Sequence, residues 1–438
     1  MSDGLAARRA ALAALRAVDE DGAWSNTAVP LAVADLPDAR DRSLASHLAY
    51  DTLRFEGTLD WLLGHVLTRA IEDVEPALRR ILRLGALQLL RTEVPAHAAV
   101  ATSVSLARES VPKGRAQGAG GFVNGVLRGL ERLLRDGGAP WPDSEVDPVD
   151  HLARTTAHPP WVVHDLLDRF GLERTRAILE ADDAPPGLTL RATGDRDALI
   201  AELQATGVDA VAGTTPAGVR ARGADPRRLA AVTEGRAVPQ DEASQRVVLA
   251  VAVRPGQRVL DLCAGPGGKT TYLAAEVGPG GPPVTAVELH PHRAEMVRDA
   301  AARQGLSVDV HVGDAVAPPL PTEQLFDVVL LDAPCTGLGV GRRRPEVRWR
   351  RTPEDVASLA ELQAELLRAA ADRVAPGGRL VYAVCTWTAA ETDGVAAAFD
   401  ASHQDLEPGE RWQLLPDRDD TDGMYVAVWN RPEVTAGQ

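Results

Sequence analysis

From residue 258 to residue 400, short apolar runs alternate with helical stretches, and few folds accommodate that pattern. The runs are Arg258–Cys263, Val284–Glu288, Val308–Val312, Asp327–Asp332 and Arg379–Cys385, with helical stretches at 269–276, 291–304, 353–374 and 389–400. Buried strands separated by helices give an α/β domain with a mostly parallel sheet. The segment MYVAVWN, 424–430, reads as a late strand, antiparallel at the sheet's far end.

The rest of the chain obeys other rules. Over 6–135 apolar residues recur every three or four positions, as in Leu12, Leu15, Val18 and again Leu78, Ile81, Leu82. That spacing predicts a bundle of helices. DGGAPWPDSEVD, 136–147, is rich in Gly, Pro and acid and reads as a linker. A helix over Trp161–Leu179 follows. Strands at 188–193, 208–213 and 218–223, with helices at 196–206 and 226–234, then make a small α+β unit. Three domains are expected: an all-α bundle over 1–138, a helical linker with the α+β subdomain over 148–235, and the α/β domain over 236–433.

No apolar run approaches the ~20 residues of a membrane span. Arg8 and Arg9 precede an apolar stretch, but charges return at Arg16, Asp19 and Glu20, so the start reads as an amphipathic helix. Three cysteines, none in a CxxC pair, exclude a disulfide framework and a cysteine-rich zinc site. A reducing, cytoplasmic setting is expected, with no metal. The net charge of −15 argues at first against a nucleic-acid partner, yet phosphate is bound by local basic faces. RRRPEVRWRR, 342–351, holds six arginines against one glutamate. Arg342, Arg343, Arg344, Arg348 and Arg350 are therefore candidate RNA contacts, with Trp349 placed either to stack on a base or to pack. Arg108, Lys113, Arg115, Arg128, Arg132 and Arg135 offer a second basic surface.

DLCAGPGGKTT, 261–271, ends one strand and opens a helix. Unobstructed backbone N–H groups at a helix N-terminus suit an anion or a nucleoside cofactor. A phosphate-binding P-loop needs Gly five residues before the Gly-Lys pair, where this chain has Cys263. A dinucleotide fingerprint starting at Gly265 needs Gly at 270, which is threonine. A nucleoside site of another kind remains. Glu288, about 20 residues past Gly267, is placed for ribose hydroxyls, and Asp314 at the next strand end for an adenine amino group.

Cys335 in DAPCTG and Cys385 in YAVCTW both follow strand ends, where open α/β sheets bind ligands. Most free cysteines are small buried hydrophobes, and Cys263 is read that way within the loop. For the other two, one reaction explains a nucleophilic thiol, an acid and a methyl-donor site together. Thiolate addition to carbon 6 of a pyrimidine makes carbon 5 nucleophilic toward an activated methyl group. Asp332 would hydrogen-bond the ring N3 and amino group of cytosine, and the second thiol would assist release.

The segments PQDEASQ (239–245), DLCAGPGGKTT, DAPCTGLGVGRRRPEVRWRR (332–351), YAVCTWTAAET and DGMYVAVWN (422–430) resemble the RNA (cytosine-5) methyltransferases of the NOL/NOP/Sun family. AYDTLRF (49–55), LRLGALQLL (82–90), VPAHAAV (94–100) and GFVNGVLR (121–128) resemble the NusB-like RNA-binding helical domain. The resemblance implies a Rossmann-like class I domain using S-adenosylmethionine, held by Cys263, Ala264, Gly265, Pro266, Gly267, Gly268, Lys269, Glu288, Asp314 and Asp332. It makes Cys385 the nucleophile and gives Cys335 the release role, beside Asp332. The pairing of the two domains implies small-subunit (16S) ribosomal RNA as partner, a monomer and no membrane. Departures are Gly265 where the family usually has alanine, and Thr336 and Thr386 where it has serine. Transfer RNA as substrate, a noncatalytic RNA-binding factor and a small-molecule methyltransferase are the rival readings.

Overall fold

The computed structural model describes residues 4–433 and divides the chain into two compact units. One contains the residues up to Ala184 together with Gly341–Arg350; the other contains Pro185–Val340 and the chain from Arg351 onward.

The first unit is helical, from Leu5–Glu20 through Ala116–Asp136 to Leu172–Asp182. Leu48, Leu59, Leu62, Leu82 and Leu127, all fully buried, belong to its one large core. Two helical details differ from expectation. Pro148–Thr155 is a further helix, started by Asp147, whose carboxylate accepts the Asp150 N–H. The helix expected over 161–179 is two, Pro160–Phe170 and Leu172–Asp182. Gly171 breaks it at φ 72, a left-handed conformation that a Cβ would disfavour.

The second unit holds two sheets. In the smaller, β1 (Leu188–Ala192), β2 (Asp209–Ala212), β3 (Gly218–Arg222) and β4 (Ala237–Pro239) run in the order β2-β3-β1-β4, all antiparallel. The larger comprises β5 (Val259–Leu262), β6 (Val284–Glu288), β7 (Val308–Val312), β8 (Phe326–Asp332), β9 (Val374–Val384), β10 (Glu407–Leu414) and β11 (Met424–Asn430). Its order is β10-β11-β9-β8-β5-β6-β7, parallel from β9 to β7. Along β8, Val329 and Leu331 pack into one core while Val328 and Leu330 pack into another. This strand thus feeds a core on both faces, which is why Val328–Leu331 is apolar throughout.

β11 is antiparallel as read, but it lies one strand in from the edge. The outermost strand, β10, reads EPGERWQL and is largely exposed. Its Pro, Gly and charges are edge-strand chemistry and mask the strand signal. Among the described residues no helix is long and apolar enough to cross a membrane.

Candidate active site

Three neighbouring strands deliver the site. β5 pairs with β6 on one side and β8 on the other, so the chain's winding reverses between β5 and β8. Ligands bind at that reversal, beyond the carboxyl ends of the strands. The glycine loop leaves β5 there. Asp332 ends β8, with Cys335 three residues on, and Cys385 follows β9 directly. Asp332 is in register with Ala383, two residues before Cys385.

The loop leads into the helix Gly268–Val277 through Gly267, at φ 100. A Cβ at Gly267 would come within 3.0 Å of Val297 Cα, so the glycine lets the loop pack closely against the helix Pro291–Arg303. Glu288, buried at the end of β6, reaches back to this loop. Its Oε2 accepts the Gly265 N–H at 2.9 Å and its Oε1 accepts the His290 N–H at 3.0 Å. A Cβ at Gly265 would stand 2.5 Å from that Oε2, so the glycine lets Glu288 close onto the loop. Arg293 braces the same corner, donating to the Gly265 carbonyl and lying 3.5 Å from Glu288. Asp314 is exposed past β7 and caps its own turn by accepting the Val316 N–H at 2.9 Å.

Ala264 and Gly267 are buried, Pro266 is exposed, and Cys263 is half-buried at φ 65. Burial, then the charges of Asp332, Asp261 and Glu288, push the Cys263 thiol well up. Leu289 and Val316 escaped the sequence reading. Both are large apolar side chains left exposed just past strand ends, at 55% and 36%. They directly follow Glu288 and come two after Asp314, respectively. Strand-end acids beside a glycine-rich loop at the sheet's reversal fit a nucleoside donor.

Lys269 Nζ donates to Asp332 Oδ2 at 2.7 Å, tying the glycine loop to the end of β8. Burial alone would lower the lysine's pKa, but the Asp332 charge and hydrogen bond outweigh it and the pKa is raised. The charge of Cys385 also contributes to that rise, so Lys269 attracts a thiolate at Cys385. The Cys335 and Cys385 sulfurs are 3.4 Å apart. Their hydrogen bond, then burial, then the charges of Cys385 and Glu391 push the Cys335 thiol well up.

Arg342–Arg350 belong to the helical unit, and burial takes Arg342 and Arg348 away from any phosphate, which corrects the reading of those two as RNA contacts. Arg348 is 1% exposed. It is bound to Asp182 and, at 2.8 Å, to Asp183. Arg342, buried, donates to the Ala184 carbonyl. Arg350 donates to the carbonyls of Val18 and Ala23, each at 2.8 Å. Trp349 lies against Gly57 and donates to the Leu53 carbonyl at 2.9 Å, so it packs rather than stacks on a base. Arg344 is half-buried with its guanidinium over the Trp24 ring, and Arg343 is half-buried beside it. These guanidiniums satisfy carbonyls, an aromatic face and buried acids that the helical unit would otherwise leave unpaired. Of the second basic set, Arg115, Arg128 and Arg135 pair with Glu75, Glu131 and Asp136. Arg108, Lys113 and Arg132 are exposed.

Family models match along the chain. The one described as 16S rRNA methyltransferase RsmB/F matches residues 248–430, the NusB family model 5–132, and a RsmF/B-like ferredoxin-like domain 158–224. A Mycobacterium tuberculosis protein whose name goes no further than methyltransferase is 41% identical, covering 97% of this chain and 96% of its own. The probable ribosomal RNA small subunit methyltransferase B of Bacillus subtilis is 34% identical, covering 96% of this chain and 97% of its own. Among solved structures, PH0851 superposes with a TM-score of 0.84 at 24% identity over 98% of both chains. That of NSun6 from Pyrococcus horikoshii with SFG superposes with a TM-score of 0.57 at 19% identity, over 62% of this chain and 98% of its own. At such identities these two likenesses establish the fold.

Proposed function

This chain belongs to the RsmB/F family of ribosomal RNA methyltransferases, with S-adenosylmethionine as methyl donor, and we propose that its target is carbon 5 of one cytosine in 16S ribosomal RNA. The observation that carries the cytosine reading is the pair of sulfurs 3.4 Å apart beside an acid paired to a lysine. Methylation of an already nucleophilic nitrogen or oxygen needs no thiol. Methylation of a pyrimidine carbon needs one to make the carbon reactive, and gains from a second to end the covalent state.

When bound, S-adenosylmethionine supplies an electrophilic methyl group on a sulfonium sulfur. The loop Gly265–Lys269, Glu288, Asp314 and the apolar Leu289 and Val316 are the residues that would hold it. Cys385, as thiolate, adds to carbon 6 of the cytosine, and the ring's electrons then become available at carbon 5. Asp332 accepts a hydrogen bond from the cytosine amino group and so orients the ring against Cys385. Lys269 holds Asp332 in place. After carbon 5 has gained the methyl group it loses its proton to water, and the electrons of that C–H bond re-form the carbon 5–carbon 6 double bond. The Cys385–carbon 6 bond breaks as that double bond forms, with its electron pair returning to sulfur. Cys335, with its sulfur 3.4 Å from that of Cys385, is placed to hydrogen-bond the departing sulfur and ease that step. A base within structured RNA must be unstacked to reach the thiols. Arg108, Lys113 and Arg132 are exposed cations on the helical unit available for backbone phosphates.

Bisulfite sequencing of 16S ribosomal RNA from a strain lacking the gene tests the reading. One protected cytosine should become convertible. An unchanged pattern would overturn the ribosomal target and direct attention to transfer RNA.

A further inference from the structure

Both cysteine turns rest on one buried carboxylate. Glu391 is 0% exposed. It sits in a π-helical turn, Ala390–Gly394, that opens the helix Val395–Ser402. Single π-turns are uncommon and cluster at functional sites because they turn one side chain out of the helical repeat. Glu391 Oε1 accepts the backbone N–H of Thr336, the residue after Cys335, at 2.8 Å. Its Oε2 accepts the Thr336 hydroxyl at 2.6 Å and the Thr388 hydroxyl at 2.8 Å. The hydroxyl of Thr386, the residue after Cys385, lies 3.3 Å from the same oxygen and 2.8 Å from that of Thr336. Gln363 adds a bond to Oε1 at 3.0 Å and another to the Pro334 carbonyl, just before Cys335, at 2.9 Å.

Those partners are hydroxyls, one amide and one backbone N–H, with no cation among them. A fully buried carboxylate held by neutral donors is costly and is not a general stabilising device. Here it joins the residue after one thiol to the residue after the other. We propose that Glu391 is a positioning residue that holds the Cys335 and Cys385 sulfurs at contact distance by clamping Thr336 and Thr386 together. The clamp matters to catalysis only through the two-thiol reaction proposed above and rests on that reading, but the geometry it sets is measurable without RNA. Its charge has a further effect, since Glu391 is among the groups that raise the Cys335 thiol.

The test uses phenylarsine oxide, which binds tightly only where two thiols close on one arsenic with loss of one water. The full-length chain should bind it through Cys335 and Cys385, with Cys335→Ala as the control that loses the tight mode. Glu391→Asp retracts the carboxylate by one methylene and should weaken binding by at least ~tenfold, a change of about 1.4 kcal/mol. Glu391→Gln keeps the length and can still join the hydroxyls, so it should stay within about threefold of the parent chain. If Glu391→Asp does not fold, the pair Thr336→Val with Thr386→Val removes the same clamp from the other side with shape preserved, and the same loss is expected. Unchanged arsenical affinity in a folded Glu391→Asp chain, or in that double variant, would overturn the proposal, even with a lower melting temperature. No methyl transfer enters the measurement, so failure of the cytosine reading would leave this result standing.

Discussion

The sulfur of Cys335 lies 3.4 Å from that of Cys385, although fifty residues separate them in the chain. Adjacent parallel strands β8 and β9 bring them together, and their partners make them unequal. Cys335 is pushed well up by its hydrogen bond to Cys385 and by burial, while Cys385 has the Lys269 ammonium as its attractive neighbour.

Removing each thiol should therefore give opposite phenotypes. Cys385→Ala is expected to reduce methylation to background and to form no covalent RNA complex. Cys335→Ala is expected to accumulate a complex that survives denaturation, because addition proceeds and release is slowed. A denaturing gel with labelled RNA reads both. Activity retained in Cys385→Ala would reverse the assignment.

The coupling also predicts a titration. In Cys385→Ser the thiol partner and its charge are gone, and those are the largest and a further cause of the Cys335 rise. Cys335 should then ionise at lower pH than in the parent chain. The pH dependence of its alkylation by iodoacetamide, followed by mass spectrometry, measures the shift. A profile no lower than the parent's would remove the coupling.

Asp261, fully buried at the end of β5, receives the Thr270 hydroxyl at 2.6 Å. Burial raises its carboxyl from 3.8 to about 7. Between those values the folded chain holds a proton that the unfolded chain has released, so this group's contribution to stability falls as pH rises. The slope is at most about 1.4 kcal/mol per pH unit. Asp261→Asn abolishes it, so the variant's melting temperature should gain on the parent's between about pH 5 and pH 8. Parallel curves across that range would show that Asp261 titrates normally.

Arg348 is a structural arginine. Arg348→Ala leaves Asp182 and Asp183 buried with a lost cation and should destabilise the helical unit by about 3–5 kcal/mol. The salt dependence of RNA binding, which counts phosphate contacts, should keep its slope in the folded variant. A slope reduced by about one would return Arg348 to the RNA interface.

The parallel strands and the glycine loop were legible because their signals are local. A strand buried on both faces is apolar at every position, and a turn at φ 100 is marked by glycine. β10 was not legible, because an exposed edge has no apolar face to record. The arginine run misled for a related reason. Six guanidiniums in ten residues look the same whether they meet phosphates or buried carbonyls, and only their surroundings differ.

The same holds for Glu391. In YAVCTWTAAET it reads as the polar start of a helix, and nothing nearby announces that it is fully buried. Its partners come from the turn after β8, the helix Pro353–Ala371 and the turn after β9. By itself, then, the sequence determined the parallel strands, the glycine loop after β5 and the place of two cysteines after neighbouring strands, since each is written in contiguous residues. The tertiary structure alone decided which arginines are consumed by the fold, how close the two sulfurs come and which carboxylate joins their turns. Those depend on strand order and burial, which long-range packing imposes after the local elements have formed.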